Sequence, residues 1–306
     1  MIASTCHVLL LLTAPPLFLG IVNRTKAVVA GRQGPPLLQV WYDLWKLARK
    51  GAVYSRVTTQ VFRLGPLIGL AAVLVAGFCV PLAGIAAPLG FTGDVVLFVA
   101  LLALARFVTV AMALDTGSAF SGMGAAREAT FASLAEPVFY CCLVVLAAGR
   151  GELSLTEVLG PGLWQLWGRL GPALVLVAVA FAVLLLVENC RVPFDDPNTH
   201  LELTMIHEVM VLDHGGPDLG AILYGAAIKL FLFAAILVRL VLPTASHPLV
   251  DALVFGAGMV GVGIGIGVVE SSMARLRLPR VPTALGGALA VAAIALAVLF
   301  SIGGRP

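Results

Sequence analysis

Eight apolar runs, each of about 20 residues, constrain this chain more than any other feature of its sequence. The runs lie at residues 3–22, 65–88, 91–114, 131–148, 171–187, 219–242, 249–269 and 283–302. An apolar helix of about 20 residues is long enough to cross the hydrocarbon core of a bilayer, which is about 30 Å thick. The sequence therefore predicts an all-α polytopic membrane protein with about eight transmembrane helices.

The composition of the chain agrees with this prediction. Of the 306 residues, 60% are hydrophobic and 11% are charged, whereas soluble domains are about half apolar and about one quarter charged. Residues 1–306 are therefore predicted to form a single integral membrane domain. The formal net charge of +3 gives no indication of a nucleic-acid partner. No Lys or Arg precedes the first run and no small-residue cleavage pattern follows it, which predicts a retained first span.

The basic residues are distributed unequally between the predicted loops. Of the 19 Lys and Arg residues, 13 fall in alternate loops on one side of the membrane and 3 on the other side. The remaining 3 lie inside spans and are Arg106, Lys229 and Arg239. Cytoplasmic loops carry most of the Lys and Arg in multi-pass proteins. The side with 13 is therefore predicted to be cytoplasmic, with both termini outside.

The predicted cytoplasmic loop at residues 27–64 contains an amphipathic segment. One helical face carries Leu37, Leu38, Trp41, Leu44, Trp45 and Ala48, and the opposite face carries Gln39, Asp43, Lys46 and Lys50. This pattern predicts an interfacial helix that lies flat on the cytoplasmic leaflet after the first span. Two interpretations remain open, because the helix could simply anchor the loop or could line the mouth of a lipid-facing cavity.

Charged groups inside the predicted spans are the strongest candidates for function, because each costs about 2.5–3.5 kcal/mol at the centre of a membrane helix on insertion scales. Glu136 lies in the fourth run ahead of Pro137. We expect the proline to disturb the helix there and to favour a hydrated polar pocket. A proton relay and a satisfied structural acid are both open for Glu136. Other charged residues at span ends or within spans are Asp115, Glu188, Lys229 and Glu270.

The predicted cytoplasmic loop at residues 189–218 is acidic, which opposes the positive-inside tendency on its own side. It contains Asp195, Asp196, Glu202, Glu208, Asp213 and Asp218, together with His200, His207 and His214. Residues 200–210 are predicted to form a helix that Asn198 or Thr199 caps. No metal site is predicted, because the histidines and carboxylates do not converge at helical spacing and the five cysteines form no C-x-x-C pair.

The seventh run is rich in glycine. It contains two small-xxx-small pairs, Gly261 with Gly265 and Gly263 with Gly267. Such pairs let membrane helices approach closely. The sequence therefore predicts tight helix packing along this run.

Three segments carry a resemblance to a known family. They are residues 188–208, residues 209–219, and residues 117–128 leading into 133–137. They closely resemble the family of complex I subunit 1, a membrane subunit of respiratory-chain NADH dehydrogenase, in the branch found in formate hydrogenlyase and energy-converting nickel–iron hydrogenase complexes. Residues 195–200 and His207 are typical of that branch rather than of complex I itself. The resemblance spans nearly the whole chain.

The resemblance implies roles for individual residues. The family's Glu-x-x-Arg-x-Pro-Phe-Asp pattern is similar to Glu188, Arg191, Pro193, Phe194 and Asp195, and its later loop glutamates and buried fourth-span glutamate look like Glu202, Glu208 and Glu136. We therefore expect a proton path through Asp115, Glu136, Glu188, Glu202, Glu208 and Lys229. We expect the peripheral arm to dock at Arg127, Arg191, Asp195, Asp196 and His200. The docking loop is then the acidic loop at residues 189–218.

The resemblance also implies the partners and the location. The expected function is a non-catalytic anchor and coupling subunit in a prokaryotic inner membrane, linking electron transfer in a peripheral arm to ion translocation. Expected partners are hydrogenase-type small and large subunits, an iron–sulfur subunit, antiporter-like membrane subunits and the lipid bilayer. Iron–sulfur clusters and a nickel–iron site are expected in those partners, with no cofactor bound by this chain. A quinone-reducing complex and a free-standing secondary transporter remain the alternatives.

Overall fold

The apolar runs form long helices in the computed structural model of this chain, which describes residues 2–195, 205–242, 244–245 and 247–303. Eight of the helices in those ranges are long and apolar enough to cross a membrane. The helices are α1 (Ile2–Val29), α2 (Gln39–Ala48), α3 (Gln60–Gly77), α4 (Asp94–Asp115), α5 (Ala119–Arg150), α6 (Leu155–Val158), α7 (Leu163–Glu188), α8 (Glu208–Val211), α9 (Gly216–Val241), α10 (Pro248–Ser272) and α11 (Val281–Gly303). The predicted all-α polytopic fold is confirmed.

The eight long helices alternate in direction and divide the connections into two groups. The connections from α1 to α3, α4 to α5, α7 to α9 and α10 to α11 share one side, which we call the basic side because it carries most of the Lys and Arg. The connections from α3 to α4, α5 to α7 and α9 to α10 lie on the opposite side with the first residues of α1. The short helices α2 and α8 belong to the basic side.

Helix α9 is the most deeply buried of the long helices and packs against α1, α3, α7 and α10. Phenylalanines fill the space around it, with the Phe139 and Phe233 ring centroids 5.5 Å apart and those of Phe181 and Phe233 5.6 Å apart. Large aromatic side chains give a membrane bundle dense van der Waals packing, which is the main attraction between helices in lipid. The core therefore lies between α5, α7 and α9.

The glycines of α10 divide between two faces. A Cβ at Gly263 would lie 3.2 Å from both Phe18 and Ile21 of α1, and one at Gly267 would lie 2.7 Å from Thr25. These two glycines therefore let α1 and α10 approach closely, as the sequence predicts. Gly261 and Gly265 face open space within the described part of the chain.

The fourth spanning helix differs from its prediction. Helix α5 has 32 residues and continues through Pro137, so Glu136 is helical and lies near the middle of the helix. The expected disturbance of helical geometry at Glu136 is wrong, because α5 packs against α4, α7 and α11 and these neighbours hold the helix together. The proline-associated distortion lies instead in α7, where Leu170 has non-helical φ/ψ just before Pro172.

The predicted interfacial helix is present as α2. It packs against α1 and α9, and the Trp41 ring centroid lies 6.2 Å from that of Tyr224. Trp45 remains 60% exposed on its outer side. Together with α3 and α9, the apolar side chains of α2 line an open cleft of about 370 Å³.

The predicted helix at residues 200–210 is wrong where the structure describes it. Met205, Ile206 and His207 are not helical, and only Glu208–Val211 form a short helix. The amide groups of Ile206 and His207 donate instead to the Asp195 carboxylate, which competes with helical hydrogen bonds. Residues 196–204 lie outside the described residues.

Candidate functional site

Arg106 of α4 is the centre of a cluster of charged side chains in the membrane-spanning part of the bundle. Its Nη1 donates to Glu136 Oε1 of α5 at 2.5 Å, and its Nη2 donates to both carboxylate oxygens of Glu188 at 2.5 and 2.6 Å. Its Nε lies 3.5 Å from Glu128 Oε1, at ion-pair distance. One guanidinium therefore joins three carboxylates of two other helices.

A second cation completes the cluster. Lys229 of α9 donates its Nζ protons to the carboxylate of Glu188 at 2.8 Å and to the backbone carbonyl of the same residue at 2.7 Å. Glu188 is the last residue of α7, and its side chain is only 5% exposed. Bidentate and charge-assisted hydrogen bonds of this kind are the strong ones, and they offset the loss of hydration of a buried carboxylate.

The cluster lies close to the middle of the bundle. Arg106 is twelve residues after the start of α4 at Asp94 and nine before its end at Asp115. At a rise of about 1.5 Å per residue these separations are about 18 and about 14 Å. The ion pairs therefore form at a depth where lipid tails, not water, would surround an isolated helix.

A cavity of about 110 Å³ opens directly onto the cluster. Arg106, Glu188 and Lys229 line it, together with Asn189 and His207 from the segment that follows α7. The Oδ1 atom of Asn189 is buried and makes no hydrogen bond within the described residues. The wall is mainly apolar, but the polar groups at this end, with one unsatisfied acceptor, suit water molecules, which bind where several polar partners converge.

A second cavity of about 330 Å³ continues toward the basic side. It shares Asn189, Cys190 and His207 with the first cavity and adds Glu208 and Asp43. Burial raises the pKa of the Cys190 thiol well above its usual value, so this thiol stays neutral. The two cavities therefore adjoin at the segment after α7, and their mainly apolar walls carry charged groups from Glu208 and Asp43 at one end to Arg106 at the other.

The segment after α7 is fixed by two sets of buried ion pairs. Arg191 Nη1 lies 3.2 Å from Glu270 Oε1 at the end of α10, and Lys26 Nζ of α1 lies 2.7 Å from the other oxygen of Glu270. Asp195 lies 2.8 Å from Arg275. The Asp195 carboxylate also accepts the amide protons of Ile206 and His207. Both sets hold the cavity wall against α1, α10 and the turn before α11.

The structure brings together part of the predicted proton path. Glu136, Glu188 and Lys229 belong to the Arg106 cluster, and Glu208 lines the adjoining cavity. Asp115 lies apart at the basic end of α4, where it accepts the Thr59 and Phe62 amide protons and holds the start of α3. The predicted path residue Glu202 lies outside the described residues.

The predicted docking residues make contacts within this chain wherever they are described. Arg191 and Asp195 are buried, and Arg127 Nη1 donates to the Met205 carbonyl at 2.7 Å. The predicted docking residues Asp196 and His200 lie outside the described residues. The three described side chains therefore shape the segment after α7 from within.

Sequence reasoning misses the residue on which the cluster depends. Arg106 stands out in the sequence only as a basic residue inside a span, and Glu128 does not stand out at all. An intramembrane arginine requires a carboxylate partner, so the pairing of Arg106 with a nearby span acid could have been inferred. Glu128 lies eight residues before Glu136, which places both on one face of α5.

A buried histidine on the basic side is separate from the cluster. The His214 ring stacks on Phe62 with centroids 3.9 Å apart, and neither of its ring nitrogens has a hydrogen-bond partner in the described residues. Burial lowers the pKa of His214, although Asp218 and Asp213 oppose this effect. Within the described residues, no group of three or more His, Cys, Asp and Glu side chains could hold a metal ion.

The fold and the cluster define a class of protein: a multi-pass helical membrane protein with paired charges inside its bundle and a cavity beside them. The family model described as NADH dehydrogenase matches residues 2–301. The chain therefore belongs to that family, and the resemblance noted from the sequence is confirmed.

Known relatives agree with this assignment. The chain is 32% identical over 243 residues to hydrogenase-4 component C of Escherichia coli K12, covering 79% of this chain and 75% of the relative. It is 31% identical over 282 residues to formate hydrogenlyase subunit 4 of the same organism, covering 90% of each. A chain of the membrane-bound sulfane sulfur reductase, an archaeal respiratory membrane complex, superposes with a TM-score of 0.83 at 19% identity, covering 97% of this chain and 98% of that one. This last likeness concerns the fold alone.

Proposed function

We propose that this chain is the membrane-anchor and coupling subunit of a formate hydrogenlyase-like or energy-converting-hydrogenase-like complex. It links electron transfer in a peripheral redox arm to ion translocation. Two relatives at or above 31% identity are, by name, subunits of hydrogenase-4 and formate hydrogenlyase, which supports this class of complex. The same names speak against a free-standing transporter.

The coupling part of the proposal rests on Arg106, whose guanidinium is shared by two carboxylates. Glu136 and Glu188 lie on different helices, and both bind Arg106, which lines a cavity. A change at the cavity wall that weakens one ion pair strengthens the other, because the two carboxylates share one cation. In this way a shift of the segment after α7 changes how tightly Arg106 holds Glu136.

The proposed proton route follows the charged side chains that line the two adjoining cavities. It enters from the basic side past Glu208 and His207, reaches Glu188 with Lys229, and continues through Arg106 to Glu136. Waters in the two cavities would connect the first part of the route.

The proposal includes an orientation and a set of partners. The basic side faces the cytoplasm of a prokaryotic inner membrane, and both termini lie outside, in accord with the positive-inside tendency. Hydrogenase-type small and large subunits and an iron–sulfur subunit dock on the basic side and carry the iron–sulfur clusters and the nickel–iron site. Arg191 and Asp195 act in docking indirectly, because their ion pairs hold the segment that faces the arm. This chain itself supplies no redox centre.

The test is the ion uptake per electron pair in inverted vesicles that carry the whole complex. Glu136→Gln keeps the size and the hydrogen-bonding capacity of the side chain but cannot release a proton, so the ratio should fall to about half or less while the complex stays assembled. Glu157→Gln, at an exposed position in α6, is the matched control and should keep the wild-type ratio. A wild-type ratio in Glu136→Gln would make Glu136 a structural acid and overturn the proposed relay.

The open cleft beside α2 supports a second candidate, the reduction of a lipid-soluble quinone. Trp41, Trp45 and Tyr224 line this cleft, and it shares Leu70 and Ala221 with the cavity at Arg106. An apolar, lipid-facing entrance leading to a polar end suits an amphipathic ring with an isoprenoid tail. Quinone-dependent oxidation of the complex's electron donor, lost in Ala221→Trp and retained in the exposed α2 variant Tyr42→Phe, would favour this candidate. Turnover that is independent of added quinone would exclude it.

A further inference from the structure

One face of α5 carries polar side chains toward the outside of the bundle. Thr130, Ser133 and Tyr140 are exposed, and the Glu136 side chain is 39% exposed between them. Their spacing of three or four residues puts them on one stripe of the helix. We call these four residues, with the exposed Val144 one turn further on, the α5 flank.

The α5 flank crosses the middle of the membrane. Glu136 binds Arg106, which lies about 18 Å from one end of α4 and about 14 Å from the other. Tyr140 is one turn from Glu136 toward the opposite side, so its hydroxyl also lies within the hydrocarbon layer of a bilayer about 30 Å thick. Thr130 and Ser133 donate their hydroxyl protons to carbonyls of their own helix and tolerate lipid. Lipid tails cannot solvate the polar groups of Glu136 and Tyr140, so a lipid environment does not account for the exposure of these two residues.

Among the described residues, the charges of the Arg106 cluster do not balance. Arg106 and Lys229 contribute two positive charges, whereas Glu128, Glu136 and Glu188 contribute three negative charges when all are ionised. Glu136 is the most exposed of the three, since the Glu128 side chain is 18% exposed and that of Glu188 is 5% exposed. The excess negative charge is therefore directed out of the bundle, where lipid tails cannot solvate it.

From this exposed carboxylate we infer that the α5 flank is the contact surface for a membrane-spanning helix of another subunit, which presents a basic or hydrogen-bond-donating side chain to Glu136 and Tyr140. Such a partner supplies the missing positive charge or donor at the right depth. A second copy of this chain does not fit, because its own flank would bring a like charge to Glu136. The inference rests on the proposed function only in assigning this chain to a complex with several membrane subunits.

Photocross-linking in membranes that contain the whole complex tests the surface. Tyr140 is replaced by p-benzoylphenylalanine, an aromatic side chain of related shape, and Ser133 in a second variant. Ile294, which is exposed near the middle of α11, is the depth-matched control. We expect the two flank positions to give an adduct with one integral membrane subunit. The cross-linked peptide should lie in a spanning helix with a basic or donor residue within one turn.

Three outcomes overturn the inference: lipid adducts only at both flank positions, an adduct with an entirely apolar helix, or an adduct with a second copy of this chain. A second measurement uses Glu136→Leu, which suits a lipid-facing position but removes the group that the partner binds. We expect this variant to lose the cross-linked subunit during purification, and full retention of that subunit would contradict the inference.

The cross-link and the coupling measurement fail independently. Glu136→Gln keeps a hydrogen-bonding group, so it should retain the Tyr140 adduct even if coupling is lost. An adduct in a Glu136→Gln complex that couples normally would leave the contact surface intact and reject the proposed relay. Lipid adducts alone in a complex whose coupling depends on Glu136 would reject the contact surface and leave the proposed relay intact.

Discussion

Arg191 and Glu270 form a buried ion pair, with Nη1 3.2 Å from Oε1, that joins the segment after α7 to the end of α10. Lys26 of α1 binds the same carboxylate from the other side at 2.7 Å. Three parts of the chain that are distant in sequence therefore meet at one acid. Asp195 and Arg275 form a second link nearby at 2.8 Å. The segment after α7, which forms part of the cavity wall, is therefore held at both Arg191 and Asp195.

The first prediction concerns this link. Arg191→Met removes one of two cations from a buried carboxylate, and we expect it to lower the free energy of unfolding by about 2 kcal/mol. Because the loosened segment faces the basic side, peripheral subunits should also be recovered in lower yield. Thermal melting and subunit recovery of the purified complex measure both effects. Arg277→Met, which changes an exposed arginine on the same side, is the control, and an equal response from both variants would contradict the prediction.

The second prediction concerns pH. Burial holds the pKa of His214 below its usual value of 6.5. As pH falls through 6.5, the unfolded chain binds the proton before the folded chain does. The stability contributed by neutral His214 is therefore complete above pH 6.5 and is lost as pH falls toward the lowered folded pKa.

His214→Phe keeps the stack on Phe62 and removes the titrating group. The melting temperature of this variant should fall less than that of the wild type between pH 7.0 and about pH 5.5. At pH 7 the variant should be as stable as the wild type or more so by up to about 1 kcal/mol, because it buries no unsatisfied ring nitrogen. His247→Gln, at an exposed histidine, serves as the control. Parallel pH profiles for wild type and His214→Phe would exclude the histidine as the source.

The third prediction concerns orientation. A membrane-impermeant thiol reagent applied to intact cells should label a cysteine at Glu152 but not one at Ala274, because the basic side is proposed to face the cytoplasm. Both positions are exposed. Glu152 is preferable to the neighbouring Gly151, whose φ of +72° would strain a cysteine. The reverse labelling pattern would invert the assignment, and labelling after permeabilisation confirms that both thiols are reactive.

The eight spans could be predicted from the sequence because each is a long apolar run, and its length alone requires a helix across lipid. The exact ends could not. The second apolar run covers residues 65–88, whereas α3 ends at Gly77 and the apolar residues beyond it form a turn-rich connection. Apolar composition does not distinguish a helix from a buried loop when neighbouring helices cover both.

Individual residues of the site could be predicted from the sequence, but their arrangement in space could not. Glu136 and Glu188 stand out in sequence because acids are costly in a membrane. Their common partner Arg106 is 30 residues from Glu136 and 82 from Glu188, and no helical spacing relates residues so far apart. The same is true of the pairing of Asp195 with Arg275. Only the packing of the helices brings these groups together.

The last prediction concerns a pair on the opposite side of the membrane. Arg239, in the last turn of α9, donates two hydrogen bonds to Asp251 in the first turn of α10, at 2.9 and 2.6 Å. Both side chains are buried, and the Ala245 amide also donates to Asp251 at 2.9 Å. Each residue alone is a charge in an apolar surrounding, so its presence is explained by its partner.

A double-mutant cycle with Arg239→Met and Asp251→Asn tests this mutual dependence. Each single change leaves the other charge buried and unpaired, so each should cost about 3 kcal/mol in the free energy of unfolding in mixed detergent micelles. Asn retains an acceptor for the Ala245 amide, which confines the loss to the ion pair. The double variant should cost about 2 kcal/mol less than the sum of the singles. The exposed and distant pair Glu157→Gln with Arg277→Met should be additive within about 0.5 kcal/mol. Additive costs for Arg239 and Asp251 would mean that the two side chains stabilise α9 and α10 separately. The ion pair would then not be what joins these helices.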